Sequence, residues 1–209
     1  MATILDFLAV VLTTSDSRLD WELMLLRIWA MLAIFLTGHS LAQGVPEKAL
    51  TEAKSYLEKN KKDFANQKFL SVIDYSLPSN AKRFFLIDLN SGKVEAFLVA
   101  HGKGSDPKFT GIATKFGDKE KSLMTSLGFF KTGDTYRGKH GFSLKLKGLS
   151  SSNQNAEKRA IVIHGANYVD NKRKILGRSW GCPALASPDA KHVIDKIKGG
   201  SLLYSWTKP

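Results

Sequence analysis

Residues 83–100 read RFFLIDLNSGKVEAFLVA. Two runs rich in aromatic and branched apolar side chains, Arg83 to Leu89 and Val94 to Ala100, stand on either side of Asn90-Ser91-Gly92. Asparagine and glycine accept the left-handed backbone of a tight turn, so the segment predicts an antiparallel hairpin. Outward from it, similar runs predict strands at Phe69 to Tyr75, Gly128 to Lys131, Phe142 to Lys147, Arg159 to His164 and Leu202 to Trp206. Helical spacing occurs in two places. Pro46 to Asn60 carries Ala49, Leu50, Ala53, Tyr56 and Leu57 near helical intervals, with proline in the first turn. Ser187-Pro188-Asp189 opens a second helix through Lys196, which Gly199-Gly200 ends. The expected fold class is α+β, mainly β, as one domain with a few peripheral helices.

The 209 residues are 43% hydrophobic and 24% charged, a globular composition that excludes disordered and fibrous classes. Residues 1–42 are read as an N-terminal extension and signal peptide. Arg27 supplies a positive flank, Ile28 to Leu36 an apolar run too short to span a membrane, and Ser40 and Ala42 a small-residue cleavage site. The alternative is an N-terminal membrane anchor helped by Ile4 to Leu12. Residues 43–66 then form a helical segment and residues 67–209 the main domain. With 31 Lys+Arg against 19 Asp+Glu the chain carries +12. Cleavage after Ala42 removes four acidic and two basic side chains, leaving +14. An exported protein of this charge meets an anionic cell envelope rather than nucleic acid. The expected location is the periplasm or extracytoplasmic envelope, with membrane contact only through an uncleaved signal segment.

The chain has a single cysteine, which forbids an internal disulfide and any CxxC site. Cys182 sits in Gly177-Arg178-Ser179-Trp180-Gly181-Cys182-Pro183. An unpaired thiol in an exported protein is either an inert buried side chain or a nucleophile. Gly181 favours the nucleophile by allowing close backbone approach, and the amides of Trp180, Gly181 and Cys182 could converge on an oxyanion. A thiol with an ordinary pKa of about 8.5 needs a base. His164 is the candidate, because it ends the apolar strand Ala160 to Ile163 and leads into Gly165. A zinc site from His101, His140, His164 and Cys182 is the competing reading, but none of the four has a partner at the short spacing of metal motifs.

Ile163-His164-Gly165-Ala166 followed by Ser179-Trp180-Gly181-Cys182 resembles the signature of the L,D-transpeptidases of the YkuD superfamily. Thr125 to Phe130 and Ser187 to Ser205 extend the resemblance across residues 68–206. His101 to Ser105, Tyr136 to Gly141 and Gly177 to Pro183 are similar to segments of its murein L,D-transpeptidase catalytic domain branch. The resemblance implies a YkuD-like catalytic domain of the β-sandwich type. It also implies a cysteine enzyme in which Cys182 is acylated by a peptidoglycan stem tetrapeptide with loss of D-alanine. Transfer to a second stem's amine makes a 3→3 crosslink; transfer to water would make an L,D-carboxypeptidase. A cationic wall-binding domain without catalysis is a further alternative. No cofactor and no metal are required, and a monomer is expected.

Gly181 and Cys182 would supply oxyanion donors, and Ser179 would orient His164 or the thiol, or else cap a turn. Tyr136 and His140 lie in a glycine-flanked segment suited to a lid, and His140 either orients His164 or is a turn residue. His101 and Ser105 are expected to line the cleft. Two departures from the family pattern stand out. Trp180 replaces a histidine, and Pro183-Ala184 replaces a usual substrate anchor, a role open to Arg178 through its bidentate fork.

Overall fold

The computed structural model describes residues 44–209, so the expected signal peptide lies outside the described residues. Among the described residues no helix is long and apolar enough to cross a membrane. Eight strands form one mixed sheet: β1 (Phe69–Asp74), β2 (Lys82–Asp88), β3 (Val94–Leu98), β4 (Gly128–Gly138), β5 (Gly141–Gly148), β6 (Val162–Gly165), β7 (Ala184–Leu185) and β8 (Leu202–Trp206). Their order is β3-β2-β1-β8-β4-β5-β6-β7. The β1–β8 and β6–β7 pairs are parallel and the rest antiparallel. The helices are α1 (Glu47–Lys59) and α2 (Ser187–Ile197).

β1 reads as an unbroken apolar run because both of its faces are covered. Phe69 and Ile73 enter the main core. Leu70 and Val72 enter a second core, under α1, whose Ala49, Ala53 and Leu57 recur at the four-residue spacing of one helix face. The main core gathers Ile73, Phe84 and Leu86 of β1 and β2, Leu144, Leu146 and Ile163 of β5 and β6, and Val193, Ile194 and Ile197 of α2. Strands so far apart in the order share one core because the sheet curls over on itself. Its two ends meet: the Ala100 N–H donates to Ala184 O at 2.8 Å, Ser179 N–H to His101 O at 2.9 Å, and Lys103 N–H to Ser179 O at 2.8 Å. The result is mainly β and sandwich-like, as expected.

Three elements differ from the sequence expectation. β4 runs on to Gly138, so the β4–β5 hairpin is longer than its apolar run suggested. β7 has only two residues and exists by pairing with β6. The strand expected from Arg159 starts at Val162 instead, because Ala160 takes a left-handed backbone with φ of 53° and the chain turns there.

Candidate active site

Strand register assembles the site. Tyr136 pairs with Ser143, Ser143 with His164, and His164 with Ala184, a row across β4, β5, β6 and β7. Residues in one row share a face of the sheet, opposite to Ile163 and Leu144 in the core. Two residues before Ala184 the chain reaches Cys182, whose thiol takes the backbone N–H of Val162. Val162 lies two residues before His164 on the same strand, so the thiol sits at the start of β6 and the imidazole at its end.

The thiol is half-buried and its Sγ–H donates to Ala160 O at 3.7 Å. Burial pushes the Cys182 thiol up from its ordinary range, while the Val162 N–H and the charge of Arg159 pull it back. His164 is buried. Its Nδ1 lies 2.9 Å from Gly165 O, and since a carbonyl only accepts, Nδ1 carries the hydrogen and Nε2 keeps its lone pair. Burial lowers the His164 pKa, the bond to Gly165 raises it, and His140 lowers it further. The His140 ring stacks on His164 with centroids 4.4 Å apart and planes at 27°. With the thiol pushed up and the imidazole pushed down, both rest neutral near pH 7, and among the described residues no hydrogen bond joins them.

Gly181 has φ of 125°, open to glycine alone, and a Cβ there would lie 2.7 Å from Met124 O and 2.9 Å from Arg159 Nη2. The protein's own packing thus requires glycine here. Ser179 caps the turn: its hydroxyl donates to Cys182 O at 2.6 Å and accepts the Gly181 N–H at 3.1 Å. Among the described residues it makes no hydrogen bond to His164 or to the thiol. Its bond from Gly181 occupies the Gly181 amide.

His101 and Ser105, expected at the cleft, are buried instead. Ser105 Oγ accepts the Thr125 N–H at 2.9 Å. His101 Nδ1 accepts from Arg83 Nη2 at 2.8 Å, and its Nε2 faces Asp106 Oδ2 at 3.4 Å. Burial and Arg83 bring the His101 pKa down to about 4. Arg178 Nη1 donates to Asp106 O, and its guanidinium covers the Phe109 ring at 4.5 Å. Trp180 is 74% exposed and Tyr136 lies exposed on the hairpin.

Sequence reasoning passed over Arg159 and Tyr168. Tyr168 packs against Gly177, and burial together with the nearby Cys182 pushes its phenol up to about 12. Its position four residues beyond His164 was the available signal.

Comparison with known proteins bears on this geometry. The L,D-transpeptidase catalytic domain model matches residues 41–206, a span that takes in α1 as well as the sheet. No curated protein matches the chain. An L,D-transpeptidase from Mycobacterium smegmatis is similar at 15% identity and a TM-score of 0.42, over 66% of this chain and 58% of that one. An L,D-transpeptidase from Mycobacterium tuberculosis is similar at 13% identity and 0.44, over 66% and 57%. The helical cell shape determining protein of Campylobacter jejuni, as a K307A mutant, is similar at 18% and 0.39, over 79% and 58%. The chain thus spans under two thirds of the length of each. On the family match across its whole described sheet, the chain belongs to the L,D-transpeptidase catalytic domain family.

Proposed function

We propose that the protein is an exported cysteine L,D-transpeptidase that crosslinks peptidoglycan stem peptides. The observation that supports this reading best is that one strand, β6, carries at its start the backbone N–H that the sole thiol meets and at its end a buried imidazole whose Nε2 keeps its lone pair. A thiol pushed up by burial is unreactive alone, and a histidine pushed down by burial is neutral near pH 7, so proton transfer between them is what activates the pair.

In this reading the Cys182 thiol turns from Ala160 O toward His164, gives its proton to Nε2 and attacks the carbonyl carbon of the third stem residue. The C–N bond to D-alanine breaks, and the leaving amine takes the proton from His164. The amide of Cys182, with that of Trp180, holds the tetrahedral oxyanion, a contribution of about 3–4 kcal/mol per donor in comparable sites. The amine of a second stem then attacks the thioester, His164 takes its proton, and that proton returns to sulfur as the C–S bond breaks. Trp180, Tyr136 and Arg178 border the substrate path, with Arg178 leaving its resting contacts to Asp106 O and Phe109 to meet a stem carboxylate. The net positive charge suits an anionic wall.

The test is incubation with purified tetrapeptide muropeptides and mass spectrometry of the products. Formation of 3→3 dimers by the wild type and their loss in Cys182→Ala are expected. Turnover retained in Cys182→Ala would remove the nucleophile. Tetrapeptides trimmed to tripeptides without dimers would make water the acceptor. A carbapenem adduct of defined mass on Cys182 checks the acylation half.

A further inference from the structure

Arg159 belongs to no part of the mechanism above, yet it is a cation built in beneath the nucleophile's turn. Its side chain is 4% exposed. Nη1 is fully engaged, donating to Ser126 Oγ at 2.6 Å, Gly117 O at 3.1 Å and Asp118 Oδ1 at 3.2 Å. The other side of the fork faces the opposite way: Nη2 donates to Met124 O at 2.6 Å and lies 2.9 Å from where a Cβ on Gly181 would stand. The next residue, Ala160, holds a left-handed backbone rare for alanine, and its carbonyl accepts the Cys182 thiol. One dipeptide therefore contributes both a buried cation beneath the Gly181–Cys182 turn and the acceptor that holds the thiol at rest.

We propose that Arg159 is a positioning residue for the nucleophile, with Asp118 anchoring one half of its guanidinium so that the other half presents positive charge to the Cys182 thiolate as it forms. The proposal rests on Cys182 being the reactive group. Other titratable groups surround the thiol: Tyr75 from the end of β1, Tyr168 after β6, His164 on β6 with His140 stacked on it, and Arg178 on the same loop as Cys182. Burial raises the pKa of both phenols, so they stay neutral. His164 is the base and is neutral until it takes the proton. Arg178 is turned to Asp106 O and Phe109. Among the described residues, Arg159 is the permanent cation whose charge acts on Cys182 against the effect of burial. A guanidinium suits the place because it stays ionised when buried and can serve two partners from two nitrogens.

The test reads the thiol itself. Alkylation of the purified chain by iodoacetamide, followed by intact mass from pH 5.5 to 10, gives the pH midpoint of thiolate formation. In Arg159→Gln the midpoint rises by about one pH unit, and the rate at pH 7 falls about tenfold. Arg159→Lys keeps the charge and stays near the wild-type midpoint. Asp118→Asn removes the opposing charge while Arg159 remains, and its midpoint falls. A purely structural staple has no means of lowering the midpoint in Asp118→Asn. Where Arg159→Gln does not fold, as judged by its melting curve, Asp118→Asn decides: a midpoint equal to or above wild type overturns the proposal. Coinciding midpoints in all variants overturn it too. Because no stem peptide is used, a failure of the muropeptide assay and a failure of this one are separate results.

Discussion

The buried His101 makes acid stability the sharpest quantity to test. In the folded chain Nδ1 accepts a hydrogen bond from Arg83 Nη2 at 2.8 Å, so protonating it would set two donors against each other beside a permanent cation. Burial adds to this, and the pKa comes down from the ordinary 6.5 to about 4. Unfolded, the same ring titrates at its ordinary value. Between those two values the unfolded chain holds a proton that the native chain refuses, so stability is full above pH 6.5 and falls as the pH drops toward 4. The loss from this one group is about 2 kcal/mol at pH 5 and about 3 kcal/mol at pH 4. Urea unfolding followed by tryptophan fluorescence at pH 7.5, 6, 5 and 4.5 measures it. His101→Gln keeps an acceptor for Arg83 but cannot titrate. That variant should lose less stability than wild type on acidification, with the gap widening by about 2 kcal/mol between pH 7.5 and 5. Parallel pH profiles for the two proteins would refute the reasoning.

Further outcomes follow from the site. His140→Ala removes the stacked ring and its lowering effect on His164, so the acid limb of kcat/KM moves up toward pH 6.5 and the rate at pH 6 falls. An unmoved acid limb in the pH–rate profile would show that the stacking has no electrostatic effect. Gly181→Ala forces a Cβ into Met124 O and Arg159 at a backbone angle closed to alanine, and should destabilise by about 2–3 kcal/mol in urea unfolding. Trp180→Ala should change stability by less than about 0.5 kcal/mol because the ring is 74% exposed, while raising KM for muropeptides. A fall of several degrees in its melting temperature would contradict that exposure.

The strands were legible where turn chemistry and apolar runs agreed. The hairpin at Asn90-Ser91-Gly92 pairs Ile87 with Val94, and the last strand, Leu202–Trp206, has the expected bounds. The end of the Arg159 strand was not legible, since alanine at position 160 gives no local sign of a left-handed turn. β7 was hidden for a different reason: two residues cannot show a period, and only the partner strand defines them. Within the site, Cys182 and His164 stood out because their residue types are chemically rare in such contexts. The placement of His101 depends on Arg83, eighteen residues earlier, and that of Arg159 on Asp118, forty-one residues earlier. Such pairings are properties of the folded sheet, and a glycine-rich loop around His101 looks the same in sequence whether it lines a cleft or fills a core. Ser179 was readable only as a choice between two roles, and the geometry of its hydroxyl selects the turn.

The three backbone bonds that join residues 100–103 to residues 179–184 carry a consequence for aggregation. The loop that carries the thiol is also a clasp between the two ends of the sheet, for residues 100–103 and the outer side of β7 would otherwise leave N–H and C=O groups unpaired. Any event that loosens this loop, including a bulky adduct on Cys182 or a substitution at Gly181, opens two strand edges at the same moment. Unpaired edges are templates for pairing with another chain. Damage to the catalytic loop should therefore reveal itself as self-association, with amide exchange at Ala100, Lys103 and Ser179 rising first.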